Sequence, residues 1–496
     1  MNCNSHLFRN LPAEAKLELT RRQLLASGSS VLGAAALGTL LGAGLPQQAQ
    51  AAAAHAAKGA AVPHFLPKAK RVIYLHMVGG PSQLDLFDYK PKLVEMYDKD
   101  LPDSVRNGQR LTGMTSGQAR FPVAPTKYNF IRHGQSGMWL SELLPNLGRY
   151  VDDMAFIRSM HTEAINHEPA ITELQTGSQI GGRPCMGSWV SYGLGSMNQN
   201  LPTFVVLVAN PTNREQEQAI SARLWSNGFL PGEHAGVSFR SKGDPILFIN
   251  NPPGVPAEVR RRSIDGINAL NGLGVEKIGD PEITTRIQQY EMAYRMQSSV
   301  PELTDFKSEP ESVFALYGEE ARTPGTYANT VLMARRLAER GVRFVQVYLN
   351  NWDHHANVGK RMPSQCADID QATAGLIQDL KNRGMFEDTL IIWGGEFGRT
   401  VYSQGGLSKD NYGRDHHPRC FTMWLAGGGA KGGVIHGETD DFSYNVVKDP
   451  VHVRDLHATI MHLLGIDHER FTFRTQGLDF RLTGVEKAEV VRPLVS

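Results

Sequence analysis

Five short apolar runs that alternate with helix-periodic stretches constrain this chain more than any other feature. The runs are Arg71–Val78, Thr203–Val208, Arg343–Leu349, Thr389–Trp393 and Thr422–Leu425. Each is of strand length and nearly continuous in apolar character, the pattern of a strand buried on both faces. Between them Tyr327, Val331, Ala334 and Ala338 recur at helical spacing before Gly341, and Ile369, Thr373, Leu376 and Leu380 before Gly384. Buried strands separated by amphipathic helices predict an α/β fold with a mostly parallel central sheet. Residues 209–325 break the rhythm, being rich in Pro and Gly at first and then predicting an amphipathic helix over Glu282–Ser299. They read as an insertion that caps one end of the sheet.

In parallel sheets, ligands gather in the loops beyond the carboxyl ends of the strands. Here those loops concentrate Asp, Glu and His. Asp353, His354 and His355 stand in a row after the third run. After the fourth comes Gly394-Gly395-Glu396-Phe397-Gly398-Arg399. Its glycines let the backbone bend and bring Glu396 to the sheet edge, while Arg399 either pairs with Glu396 or clamps an oxyanion. Asp415-His416-His417 precedes the fifth run. Carboxylates and imidazoles converging from separate loops suit Zn, Mn or Fe better than Mg or Ca, which prefer oxygen shells. Asn166-His167-Glu168-Pro169 opens a helical stretch ending at Thr176, and a helix N-terminus there favours an anion. Asn166 would bind that anion, His167 would sit beside it, and His161 would face the same cleft.

Lys+Arg 51 against Asp+Glu 50 gives a net charge of +1, which excludes an overall field favouring nucleic acid. Four Cys in 496 residues cannot build a disulfide framework. The N-terminus carries Thr20-Arg21-Arg22-Gln23-Leu24-Leu25, a mild apolar run from Leu24 to Leu45, and Ala49-Gln50-Ala51. That order resembles a twin-arginine signal over residues 1–51, cleaved or retained as an anchor. It implies the twin-arginine translocase as a partner and the periplasm or cell envelope as destination. Residues 52–68, mostly Ala, Lys and Pro, form a flexible lead-in, and residues 486–496 a C-terminal tail.

Several segments together resemble the sulfatase and alkaline phosphatase superfamily. Asp388-Thr-Leu-Ile-Ile-Trp-Gly-Gly-Glu396-Phe-Gly398 is similar to its "DTLVIFTSDNG" strand and loop. Val451-His-Val-Arg-Asp455-Leu-His457-Ala-Thr459-Ile-Met-His-Leu-Leu464-Gly resembles its "DLAPTLLDLAG" helix, and Gln476-Gly477-Leu478-Asp479 its "DGxSL". His167-Glu-Pro169-Ala-Ile and Leu174-Gln-Thr176-Gly177 keep the spacing of "CxPSR…LLTG". With Gly79-Gly80-Pro-Ser-Gln-Leu-Asp85-Leu-Phe-Asp88 and the export signal, the chain is most similar to an exported bacterial branch, domain of unknown function 1501. The resemblance runs over about residues 68–485. It implies an alkaline-phosphatase-like α/β/α sandwich over 69–485, with 209–325 as the cap-like insertion.

The resemblance also implies a metal-dependent hydrolase of phosphate or sulfate esters, acting on a small anionic ester or a sulfated or phosphorylated glycan. In that scheme Asp353, His355, Glu396 and His416 or His417 bind one Zn, Mn or Fe ion. His355 is taken over His354 by the superfamily's Asp-x-His spacing. His167 acts as acid or base, or contacts the ester, and Arg399 steadies its charge. Departures are plain: His167 replaces the superfamily's nucleophile, Gly79-Gly80 its first metal-binding Asp, and Glu396-Phe397 its Asp-Asn or Asp-His. Formylglycine is not expected, since Cys185 lacks the C-x-P-x-R order. The alternative is a catalytically degenerate anion- or glycan-binding envelope protein.

Overall fold

The computed structural model describes residues 63–213, 217–241, 244–246, 249–278 and 281–496. The export segment expected over 1–51, and all but the end of the lead-in, lie outside the described residues.

Nine strands form the central sheet. They are β1 (Arg71–Met77), β2 (Met154–His161), β3 (Phe204–Ala209), β4 (Val237–Phe239), β5 (Phe344–Leu349), β6 (Thr389–Gly394), β9 (Phe421–Ala426), β10 (Val434–His436) and β11 (Val451–His452). A separate antiparallel pair, β7 (Gly398–Ser403) and β8 (Arg414–His417), intervenes in the chain. The sheet order is β10-β2-β9-β6-β1-β5-β3-β4, with β11 also pairing with β2. β1 lies between β5 and β6 and is parallel to both, Val72 aligning with Phe344 and Leu390. Only β9 runs against its neighbours β2 and β6. The fold is a mixed α/β sandwich with a mostly parallel sheet.

β1 shows why the sheet is covered twice. Ile73, Leu75 and Met77 enter one apolar cluster, and Val72 and Tyr74 the other, because successive strand side chains point to opposite faces. Helices α5 (Tyr327–Glu339) and α6 (Val358–Asn382) bury their apolar faces in the first cluster. Helices α1 (His167–Thr176), α2 (Met186–Leu194) and α7 (Val453–Leu463) serve the second. The spacings read from sequence hold: Val331, Ala334, Ala338, Ile369, Leu376 and Leu380 are all buried. Within 209–325, helices α3 (Ala257–Ile278) and α4 (Pro281–Thr304) form a packed pair. Met296, Val300 and Leu303 of α4 join the same cluster as α5 and α6.

The segments around Arg399 and His416, expected as loops, are paired strands. His416 aligns with Arg399 and His417 with Gly398. Every residue of both strands is buried, so their polar side chains must satisfy one another inside the molecule.

Candidate metal centre

β5 and β6 flank β1, so the loops after their carboxyl ends meet over the end of β1. Gly79 follows β1 with φ of 114°, and a Cβ there would come within 2.5 Å of the Asp353 backbone nitrogen. Only glycine lets the two loops touch. In this crevice His167, Asp353, His355 and His416 bring one ligand atom each to within 4.8 Å of one another.

Asp353 Oδ1 is the focus. It lies 3.2 Å from His167 Nε2, 2.8 Å from His355 Nε2 and 3.5 Å from His416 Nε2. The His355 and His416 Nε2 atoms are 3.1 Å apart. Each ring's other nitrogen faces an oxygen. His167 Nδ1 is 2.5 Å from Glu396 Oε1, His355 Nδ1 2.5 Å from Gln404 Oε1, and His416 Nδ1 2.8 Å from the Ile165 carbonyl. Those oxygens accept the Nδ1 protons, so the neutral rings turn three Nε2 lone pairs toward one carboxylate oxygen. Lone pairs do not bond lone pairs, and His167 Nε2 is indeed a buried atom without a hydrogen-bond partner.

Charge makes the same case. Asp353 and Glu396 are both buried. Burial alone would raise the Asp353 pKa, but the Arg399 guanidinium beside it holds it far below the carboxylate range. Burial would likewise raise Glu396, yet hydrogen bonds from His167 and His76 hold it low. Of these two carboxylates only Asp353 is met by a guanidinium among the described residues, an imbalance that a cation corrects. For His167, burial works downward but the nearby Asp353 and Glu396 carboxylates outweigh it and its pKa is raised, so Nε2 draws a positive charge that either a proton or a metal ion supplies. Burial pushes His416 down to about 4. Ligands at 2.0–2.2 Å lie about 3.0 Å apart around an octahedral ion and about 3.4 Å apart around a tetrahedral one, and the spacings around Asp353 Oδ1 span both values. The residues fit a divalent transition metal.

The structure sorts the residues named from sequence. Asp353, His355 and His416 come together, joined by His167. Glu396 stands behind His167 instead of in the group: its oxygens take the Gly79 N–H at 2.9 Å and the His167 ring, with His76 Nε2 at 3.6 Å. His417, adjacent to His416 on a strand, points the opposite way; its Nε2 contacts the Tyr444 carbonyl at 2.6 Å. Arg399 donates to the Gly79, Gly80 and Arg414 carbonyls and to Asp353 Oδ1 at 2.6 Å. Its guanidinium therefore orients Asp353, and the expected oxyanion clamp is occupied from within. Asn166 is the exposed N-cap of α1 and makes no side-chain capping bond. His161 groups with Glu163 and His452, apart from His167. Cys185 is buried, and burial pushes its thiol up to about 11, which suits a packed residue.

Three contributors escaped sequence reading. His76 is the penultimate residue of β1, and Gln175 Nε2 at 3.3 Å from its Nδ1 leaves Nε2–H to face Glu396. Gln218 donates to Asp353 Oδ2 at 2.8 Å, leaving Oδ1 for the cluster. Arg414 pairs with Asp85 at 2.7 Å, both side chains fully buried, and so anchors the strand carrying His416. Of these only His76 left a signal, its place at a strand's carboxyl end.

Solved structures similar to this chain include three bacterial proteins. The alkaline phosphatase of the Antarctic bacterium TAB5 is 12% identical, covering 80% of this chain and 98% of its own, with a TM-score of 0.31. The lipoteichoic acid synthase LtaP from Listeria monocytogenes is 9% identical, covering 85% and 76%, at 0.34. A sulfatase from Pseudoalteromonas sp. is 13% identical, covering 86% and 73%, at 0.30. No curated protein matches the sequence. Residues 69–495 match the model of the family described as "Protein of unknown function (DUF1501)", and the chain belongs to that family.

Proposed function

We propose that this chain is an exported, metal-dependent hydrolase of phosphate or sulfate esters that works without a side-chain nucleophile. The observation that carries the reading is the convergence of three imidazole Nε2 atoms on Asp353 Oδ1. His167, Asp353, His355 and His416 hold the ion. Glu396, Gln404 and the Ile165 carbonyl fix the three rings, and Arg399 and Gln218 fix the carboxylate. A divalent ion supplies Lewis-acid polarisation of an ester oxygen and acidifies a water molecule. Four protein ligands close a tetrahedral zinc site, whereas an ion taking five or six, Mn or Fe, keeps room for ester and water. The ester class rests on the likeness of residues 388–398 and 451–465 to the sulfatase and alkaline phosphatase superfamily. Small anionic esters and sulfated or phosphorylated glycans both fit it.

The test is metal analysis of the purified protein, followed by turnover on aryl phosphate and aryl sulfate panels. Near-stoichiometric Mn or Fe in wild type, lost in Asp353→Asn, with hydrolysis of one ester class, is the expected result. Metal without turnover on either class removes the hydrolase reading and leaves an anion- or glycan-binding protein. Equal metal content in wild type and Asp353→Asn overturns the centre itself.

A further inference from the structure

A cavity of about 860 Å³ lies at the opposite end of the sheet from the metal centre. Its wall includes Thr203, just ahead of β3, and residues leading into β4, so it sits at the strands' amino ends. A six-residue strand separates the two ends by roughly 20 Å. The carboxyl end of α2 and one face of α4 complete the wall. Gln288, Met292 and Arg295 recur there at helical spacing.

Inside, Ser191 Oγ is 3.0 Å from His234 Nδ1, and His234 Nε2 is 3.5 Å from Glu233 Oε1. Ser191 is 3% and His234 8% exposed. Nothing at the metal centre uses these groups. We propose that this cavity is a second active site, in which Ser191, His234 and Glu233 hydrolyse carboxylic esters that carry an apolar body.

The roles follow from position. Glu233 faces Nε2 and favours the tautomer that leaves Nδ1 as the acceptor for the Ser191 hydroxyl. Burial pushes His234 down to about 4, so the ring is neutral and free to accept at neutral pH. Arg343 donates to the Gly195 carbonyl at 2.7 Å and the Leu194 carbonyl at 3.2 Å, which satisfies the electronegative end of α2 below Ser191. Residues Gln288, Gln289 and Arg295 of α4 carry the donors available for a carbonyl oxygen. Met292 and Met296 supply adaptable apolar wall for the ester's body.

In the first step Ser191 Oγ attacks the ester carbonyl carbon while its proton passes to His234 Nδ1. The C–O bond to the alcohol then breaks, and the alcohol leaves with that proton. In the second step water attacks the acyl-serine, His234 takes its proton and returns it to Ser191 Oγ, and a carboxylic acid is released. Water is the only co-reactant.

The experiment uses the exported protein as purified, with its metal in place. It is treated with a fluorophosphonate probe, mapped by mass spectrometry, and assayed on p-nitrophenyl butyrate. Ser191 should carry the probe. Ser191→Ala should abolish labelling, and both it and His234→Gln should lower turnover by roughly 10²–10⁴-fold. Met292→Trp, which fills the cavity and leaves the three polar groups intact, should block labelling and turnover while circular dichroism stays native. An unlabelled wild type, a probe on another residue, or labelling unchanged in His234→Gln would each overturn the proposal.

Discussion

Glu396 holds a full charge in a place with neither solvent nor a cation of its own. Its oxygens are met by the Gly79 N–H, the His167 ring and His76, and none of these is a permanent positive charge. The carboxylate strengthens the donor power of His167 and fixes the direction of its Nε2. Glu396→Gln keeps the shape, removes the charge and brings an N–H toward groups that already donate. Metal affinity should fall about 10–100-fold, read as a dissociation constant in competition with a chromogenic chelator. An unchanged constant would mean that Glu396 is only a packing group. Asp353, His355 and His416 were legible as one group because Asp and His stand next to one another at strand ends. The choice between His416 and His417 was not legible, since strand alternation decides it and the segment read as a loop. His167 was read as acid, base or ester contact because the resemblance set it at the superfamily's nucleophile position. Only the fold could bring its Nε2 onto Asp353.

At the scale of elements, β7 and β8 decide where His416 stands. Their anchor is the buried Arg414–Asp85 pair, extended by Tyr412 and Ser82 on the same carboxylate. Asp85→Asn leaves a guanidinium buried without its counter-charge, which costs about 3–5 kcal/mol. Urea denaturation should show that loss. Burial acts to raise the Asp85 pKa, but the Arg414 guanidinium outweighs it and holds the carboxyl below its ordinary range. A depressed carboxylate pKa contributes stability above its unfolded value that disappears as pH falls through the folded one. Wild type should therefore lose stability progressively below pH 3.8, and Asp85→Asn should lack that component. These elements were hard to see because Arg399, Thr400, Ser403, Arg414, Asp415 and His416 are polar and lack the apolar run of a buried strand, so they read as loops. The apolar runs of β1, β3, β5, β6 and β9 were read to within a residue or two, since burial on both faces leaves an uninterrupted pattern. β2 was missed, its apolar run being broken by Arg158 and Ser159.

For the whole molecule, the proposed route of export is open to a simple trial. Replacing Arg21 and Arg22 by Lys should strand precursor in the cytoplasm, measured by fractionation and by the N-terminal sequence of the mature protein. Arrival of the double variant in the periplasm would exclude the twin-arginine route. The residues of the candidate centre come from distant parts of the chain: His416 leans on the carbonyl of Ile165, 251 positions away. If the proposed centre holds its ion, the four residues meet only in the complete fold, and an unfolded chain offers the metal nothing comparable. Binding and folding are then a single linked equilibrium, and an ion at about a thousand times its dissociation constant adds about 4 kcal/mol to stability. Melting temperature should rise with metal concentration in wild type and stay flat in Asp353→Asn. If the chain crosses the membrane already folded, its ion is taken where it folds. The metal it carries outside would then be a record of the pool it met inside.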